Sequence, residues 1–192
     1  MTFRRIRPFC TAHRLPSIHM KSRLIVSLLF SIGCAVWSVA APTRVTMPAE
    51  AGSPISAGVG LPVGRALFWT SGTVPAPINK DGKTVHERFG DTYTQGVSAL
   101  KNIARTLVEQ GLSLKDVVYL RVYVVADAEK DGKPDFAGWF KAYGEFFNNE
   151  KNPIKAARST VAVSALVSPD WLIEIEAFAV YPAENNPLPT AR

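Results

Sequence analysis

Residues 117–125 read VVYLRVYVV, and this stretch decides the architecture. Val118, Leu120, Val122 and Val124 alternate with Tyr119, Arg121 and Tyr123. A period of two puts a wholly apolar face on one side of a strand and a mixed face on the other. Upstream, between positions 89 and 110, apolar residues recur at Val97, Leu100, Ile103, Ala104, Leu107 and Val108. That three-and-four spacing predicts a helix with one buried stripe, and Gly111 is placed as its C-terminal stop. Downstream, beyond the polar loop 126–134, a second helix is predicted over 135–147, carrying Phe136, Trp139, Phe140, Tyr143, Phe146 and Phe147. A short strand at 65–71 and a polar turn at 79–82 precede the first helix. Two closing strands, 157–166 and 171–181, are joined by a turn containing Pro169-Asp170. Strands, helix, strand, helix and two strands imply an α+β layer fold, a mostly antiparallel sheet covered on one face by two helices.

The last strand departs from a simple half-buried pattern. Ile173, Ile175, Ala177 and Ala179 share one face, and Leu172, Glu174, Glu176 and Phe178 share the other. Two carboxylates among large apolar groups suit neither open water nor a dry core, and Tyr119, Arg121 and Tyr123 give the strand at 117–125 the same mixed character. Burial against another copy of the protein, with the acids directed at basic groups or a ligand, reconciles the pattern. A solvated face with incidental glutamates is the bland alternative.

The chain has 192 residues and a formal charge of +6, from 22 Lys and Arg against 16 Asp and Glu. Residues 1–40 hold Arg4, Arg5, Arg7, Arg14, Lys21 and Arg23 and no acid, so basic and acidic residues balance over 41–192. The excess belongs to the N-terminus, and no phosphate-binding stripe is expected on the folded part. Lys21 and Arg23 before the apolar run 24–30, and Ser38-Val39-Ala40 after it, read as a signal peptide starting at Met20 and cut after Ala40. The run, broken by Ser27, Ser31, Gly33 and Ser38, falls short of the roughly 20 apolar residues of a spanning helix; a retained anchor is the alternative. The expected location is periplasmic or secreted, with no membrane attachment after cleavage. Cys10 and Cys34 both lie in the segment to be lost, which leaves the mature chain without a thiol. Residues 41–54, rich in Pro, Ala, Gly, Thr and Ser, read as a disordered linker, 55–182 as the folded domain and 183–192 as a flexible tail.

The string Ala157-Arg158-Ser159-Thr160-Val161, a turn, and then Ile173-Glu174-Ile175-Glu176-Ala177 resembles the closing signature of the RidA or YjgF family of reactive-intermediate deaminases. Thr70-Ser71-Gly72 with Val74-Pro75 is similar to that family's first strand end. Gln95, Asn102-Ile103 and Gly111-Leu112 resemble its first helix, and Tyr143 with Phe146-Phe147 its second. The resemblance covers roughly 54–182. It implies a chorismate-mutase-like fold assembled as a homotrimer with pockets between subunits. It also implies hydrolysis of enamines and imines such as 2-aminoacrylate to keto acid and ammonia, without metal or cofactor.

On that pattern Arg158 holds the substrate carboxylate through two parallel N–H donors. Glu174 positions or activates water, and Ser71 with the N–H groups after it faces the developing tetrahedral centre. A plain interface salt bridge between Arg158 and Glu174 is the competing reading, and Ser71 reads equally as a turn residue. Glu176 reads as structural, pairing across a subunit contact with Arg121. His86, in a polar loop, is expected to hold no metal. Gly72 belongs to the pocket, whose lining departs from the family at Thr160, often cysteine, at Ile55, commonly aromatic, and at Phe140, often asparagine. Two other classes compete with catalysis: a trimer that binds small carboxylates without turning them over, and a nucleic-acid protein, which the neutral body opposes.

Overall fold

The computed structural model describes residues 41–183. The expected signal segment, with Met20, Cys10 and Cys34, and the tail 184–192 lie outside the described residues. The elements run β1 (Leu67–Trp69), α1 (Val85–Phe89), α2 (Thr92–Glu109), β2 (Val117–Asp127), β3 (Lys133–Pro134), α3 (Phe136–Phe146), β4 (Ala157–Val163) and β5 (Ile173–Val180).

Each long helix begins and ends where its residues can satisfy the free backbone groups. Asp91 caps α2 by accepting from the Thr94 N–H at 2.9 Å. At the other end Gly111, at φ 72°, lets its own N–H reach Val108 O and that of Leu112 reach Leu107 O. Asp135 caps α3 through the Gly138 N–H at 2.9 Å. The buried stripe of α2 is Ala99, Leu100, Ile103 and Leu107. Val108, counted in that stripe from its spacing, instead faces out with 69% exposure, since it stands about 100° around the helix from the buried Leu107. The two helices approach closely at Gly96, where a Cβ would stand 3.1 Å from that of Ala142.

β2, the strand with the longest apolar run, lies inside the sheet with partners on both sides. β5 pairs with it antiparallel, Leu120 opposite Ala177, and β1 adds to the far edge of β5, Phe68 opposite Ala179. β3 meets the end of β2 antiparallel, and β4 pairs with its other side in parallel, Leu120 opposite Arg158. The sheet is thus mostly antiparallel, with α2 and α3 on one face. One expectation is overturned: the two closing strands do not adjoin. A parallel partner needs a crossover, which α3 supplies, so β4 takes one side of β2 and the chain must pass to the other side to form β5. Leu120, Val122, Val124, Ile173, Ile175, Ala177 and Ala179 make the sheet side of the core, against Trp139, Tyr143 and the α2 stripe.

Residues 41–54, expected to be a disordered linker, are folded onto the sheet. Val45 is 1% exposed and packs with Val118 and Val180. Thr46 and Gly60 exchange both N–H···O bonds at 2.9 Å, and the Ala57 N–H reaches Pro48 O at 2.7 Å. A single anchoring valine in a segment without periodicity leaves no pattern to read. The expected loop around His86 is in part the short helix α1, closed by a reciprocal cap between Thr84 and Glu87. There the His86 ring lies between two acids, Nε2 2.8 Å from Asp127 Oδ2 and Nδ1 2.9 Å from Glu129 Oε2. Among the described residues no helix is long and apolar enough to cross a membrane.

Candidate functional site

Its pairing with Leu120 puts Arg158 on the helix-covered face, at the start of an edge strand. The guanidinium carbon lies 4.5 Å from the ring centre of Tyr143, 4.8 Å from that of Phe140 and 5.6 Å from that of Trp139. Contacts of this kind contribute on the order of 1 kcal/mol each, more when water is excluded. They do not satisfy the N–H groups, and Nη1 is buried with no hydrogen-bond partner among the described residues. Burial lowers the Arg158 pKa from its ordinary value, with the neighbouring Tyr143 opposing. The same burial pushes the Tyr143 phenol up to about 12, against smaller downward effects of Arg158 and the Ala156 backbone. Its hydroxyl donates to Pro54 O at 3.3 Å.

Thr160, two positions along on the same face, accepts from Trp139 Nε1 at 3.3 Å. Phe140 covers the guanidinium from outside and remains 48% exposed. Ile55 follows the carbonyl that holds Tyr143, packs against the main core, and shares with Arg158 the lining of a cleft of about 520 Å³. Four of the expected site residues, Arg158, Thr160, Phe140 and Ile55, therefore gather in one region.

A second group forms elsewhere. Glu174 is opposite Tyr123 and so projects to the open face of the sheet. Its carboxylate lies over Gly72, where any Cβ would collide with it. Thr73 and Ile175 exchange N–H···O bonds at 2.8 and 3.0 Å and pin Ser71-Gly72 beside β5. Ser71 is exposed, and its carbonyl accepts the Thr73 hydroxyl at 3.2 Å.

Within one chain Arg158 and Glu174 do not stand on neighbouring strands, although their strands are consecutive in sequence. β2 separates their strands, and their register partners, Leu120 and Tyr123, point to opposite faces. Two strand spacings sideways and three residues along give about 14 Å between their Cα positions. Glu176 does pair with Arg121, at 3.1 Å, but within the chain rather than across a subunit contact, and it also accepts from the Tyr123 hydroxyl at 3.1 Å.

The spacing 139, 140, 143 marks the aromatic cage around Arg158 in the sequence, yet the same spacing equally describes a core stripe. Gln95 has a role that its type alone does not reveal. Fully buried, it donates to Gly90 O and Asp170 O and accepts from the Leu172 N–H, fastening the turn that feeds β5. Arg88 grips the same turn through Asp170, at 2.8 and 2.5 Å. Among the described residues no group of three or more His, Cys, Asp or Glu is placed to hold a metal ion.

Comparison with known proteins agrees with this arrangement. The family model described as Endoribonuclease L-PSP matches residues 53–181. A RutC family protein of Pyrococcus horikoshii is 39% identical over 116 residues, 60% of this chain and 79% of that protein. A protein named 3-aminoacrylate deaminase RutC, from Acinetobacter baylyi, is 30% identical over 138 residues, 72% of this chain and 98% of its own length. A crystal structure of a conserved Rid family protein from Yersinia pestis, 32% identical, superposes with a TM-score of 0.53 over 72% of this chain and 98% of the other. With the match spanning the sheet, both helices and the strands that carry Arg158 and Glu174, the chain belongs to the YjgF/RidA family.

Proposed function

We propose that the protein hydrolyses reactive enamines and imines of amino acids, of the 2-aminoacrylate type, to the keto acid and ammonia. One observation carries this reading: the half-buried guanidinium of Arg158 has an unpartnered Nη1 and aromatic rings where a counter-charge would be. A desolvated cation without a counter-charge costs stability, and an incoming carboxylate relieves that cost through two parallel charge-assisted bonds. The relative named 3-aminoacrylate deaminase supports a deaminase-like role at the level of the family.

In this reading the substrate binds as the iminium of a 2-imino acid, its carboxylate on Arg158. Water adds to the iminium carbon, the C=N electron pair moves to nitrogen, and Glu174 takes the proton that water loses. The nitrogen of the resulting carbinolamine accepts that proton back from Glu174, the C–N bond breaks with its electron pair going to nitrogen, and the hydroxyl oxygen forms the carbonyl as its proton passes to Glu174, from which the released ammonia carries it away as ammonium. Ser71 and the N–H groups that follow it stabilise the tetrahedral stage. The balance closes with water alone, without metal or cofactor.

The separation of Arg158 from Glu174 along one chain calls for a pocket shared between protomers. One contributes Arg158, Phe140 and Thr160, and its neighbour contributes Glu174, Gly72 and Ser71. A homotrimer with pockets at its subunit contacts meets that need and covers the open face, where Trp69, Leu67 and Val161 are exposed. Export, with cleavage after Ala40, belongs to the same reading.

A second reading has its own support. The Arg158 cage is complete within one chain whereas Glu174 lies apart from it, which favours a trimer that binds small carboxylates without turnover. The balanced charge of residues 41–192 opposes a ribonuclease. An imine generated in place by an amino-acid oxidase separates the two readings. Keto-acid release faster than in buffer, lost in Arg158→Ala, supports catalysis; carboxylate binding without acceleration refutes it. Native mass near three subunits supports the shared pocket, and a fully active monomer overturns it.

A further inference from the structure

We infer that Asn102, with Ser98 one turn before it on α2, is a positioning residue that sets where Gly72 stands against the Glu174 carboxylate. This deepens the proposed function and rests on its reading of Glu174 as the group that handles water.

The strand that carries Gly72 does not pair evenly with β5. From Trp69 to Thr73 it takes four steps, while β5 takes three from Phe178 to Ile175. The extra residue makes a bulge, which bends a strand and re-aims what it carries. Both ends of the bulge are tied to β5. The Thr70 N–H reaches Ala177 O at 2.9 Å, and the Ala177 N–H turns to the Thr70 hydroxyl at 2.9 Å. Thr73 holds Ile175 through the bond pair at 2.8 and 3.0 Å. Between these ties Ser71-Gly72 meets Glu174, with no room there for a methyl group. A small movement of this segment therefore changes where the carboxylate rests.

Beyond Thr73 the chain reads Val74-Pro75-Ala76-Pro77. The prolines have no N–H to donate, so a strand ladder cannot run on. Side chains of α2 take over. Asn102 donates from Nδ2 to Val74 O at 3.0 Å, and Ser98 Oγ accepts from the Ala76 N–H at 3.0 Å. Arg105 donates to Asn102 Oδ1 at 3.1 Å, which fixes the amide with its NH2 group toward Val74.

Gln95 stands on the same edge of α2. At about 100° per residue, positions 95, 98 and 102 fall within about 60° of one another. Gln95 fastens the turn that feeds β5 just ahead of Glu174, at 3.0 Å to Asp170 O and 2.8 Å to the Leu172 N–H. Ser98 and Asn102 fasten the segment that leaves Gly72. The carboxylate and the glycine against it are thus both referenced to one helix, which the buried Ala99, Ile103 and Leu107 lock into the core.

The test uses the full chain, the imine that an amino-acid oxidase makes from alanine, and pyruvate titrated by calorimetry. Alanine is the better helix former, so Asn102→Ala retains α2. It is expected to lower kcat by about fivefold or more, with KM and pyruvate binding within about twofold of the parent, because the Arg158 cage shares none of these contacts. In a Gly72→Ala background, where the carboxylate is already displaced, the same change is expected to cost no more than about twofold. Ser98→Ala added to Asn102→Ala deepens the loss to about tenfold, and Ser98→Thr, which keeps the accepting hydroxyl, retains the parent kcat. An unchanged kcat in Asn102→Ala, an equal fall in both backgrounds, or a change confined to KM overturns the inference. A parent chain that accelerates no imine removes the deaminase, and amide exchange then decides the tie. Thr73 and Ile175 N–H groups that exchange about tenfold faster in Asn102→Ala, with Leu100 and Ile103 unchanged, support it, and unchanged exchange overturns it.

Discussion

Replacing Gly72 by alanine tests the Glu174 end of the site with a single methyl group. The new Cβ would stand 2.6 Å from Glu174 Cδ and 3.1 Å from its Cγ, with Oε1 nearer still. Ordinary contact begins at 3.4 Å, so Cδ must retreat by 0.8 Å, from 2.6 to 3.4 Å, and the oxygen by more. Glu174 is the free end of a flexible, half-buried side chain, so the fold absorbs this as a rotamer change costing about 1 kcal/mol. In a domain of this size that lowers Tm by about 2–4 °C. Displacing a reacting group by about 1 Å costs up to about 100-fold in rate. The expected result is a kcat for imine hydrolysis lower by about two orders of magnitude, with keto-acid binding at Arg158 little changed and the melting curve shifted down by only about 2–4 °C. Steady-state keto-acid release, calorimetric titration and a thermal melt measure the three quantities. A folded Gly72→Ala protein with kcat within about threefold of the parent would falsify the assignment of Glu174 to water activation.

Tyr143 sets a pH limit on stability. Its folded pKa, about 12, lies above its ordinary value of 10.0, so the folded state binds more protons between those values and stability falls as pH rises through them. The loss approaches about 3 kcal/mol by pH 12, is absent below pH 10 and vanishes in Tyr143→Phe; a pH series of urea midpoints measures it, and identical curves for the two proteins refute it. Gln95→Leu strips three buried backbone groups, Gly90 O, Asp170 O and the Leu172 N–H, of their partner. It should cost on the order of 3 kcal/mol in urea unfolding, with an effect under about 1 kcal/mol counting against the clamp on β5. Mass analysis of exported protein is expected to find Ala41 as its first residue, leaving Val45 and its contacts in place; a mature end beyond Val45 contradicts both the cleavage site and the role of the arm.

The legible parts of this chain were those with a strong period. VVYLRVYVV could be nothing but a strand, and the α2 stripe with Gly111 behind it nothing but a terminated helix, because in each case spacing and end chemistry agree. The arm 41–54 was not legible, since its stability comes from one valine and a few backbone bonds made to distant residues. The Arg158 cage was half legible. Trp139, Phe140 and Tyr143 share a helical face, but whether that face covers apolar side chains or a cation depends on which strand lies beneath it.

By itself the sequence determined the long strands and the two long helices, and which side of most of those strands is apolar, because these are consequences of local geometry with periods of 2 and 3.6. It also supplied the Arg158 and Glu174 motif that marks the family. Only the tertiary structure decided the order of the strands. Pairing in a sheet joins residues far apart in the chain, and the preference of the most apolar strand for the interior separates two strands that are consecutive in sequence. That long-range order, β2 between β4 and β5, sets Arg158 and Glu174 two strands apart, and the register of each strand on β2 turns the guanidinium to the helix-covered face and the carboxylate to the open one, so the pair that the sequence names together is not brought together within one chain.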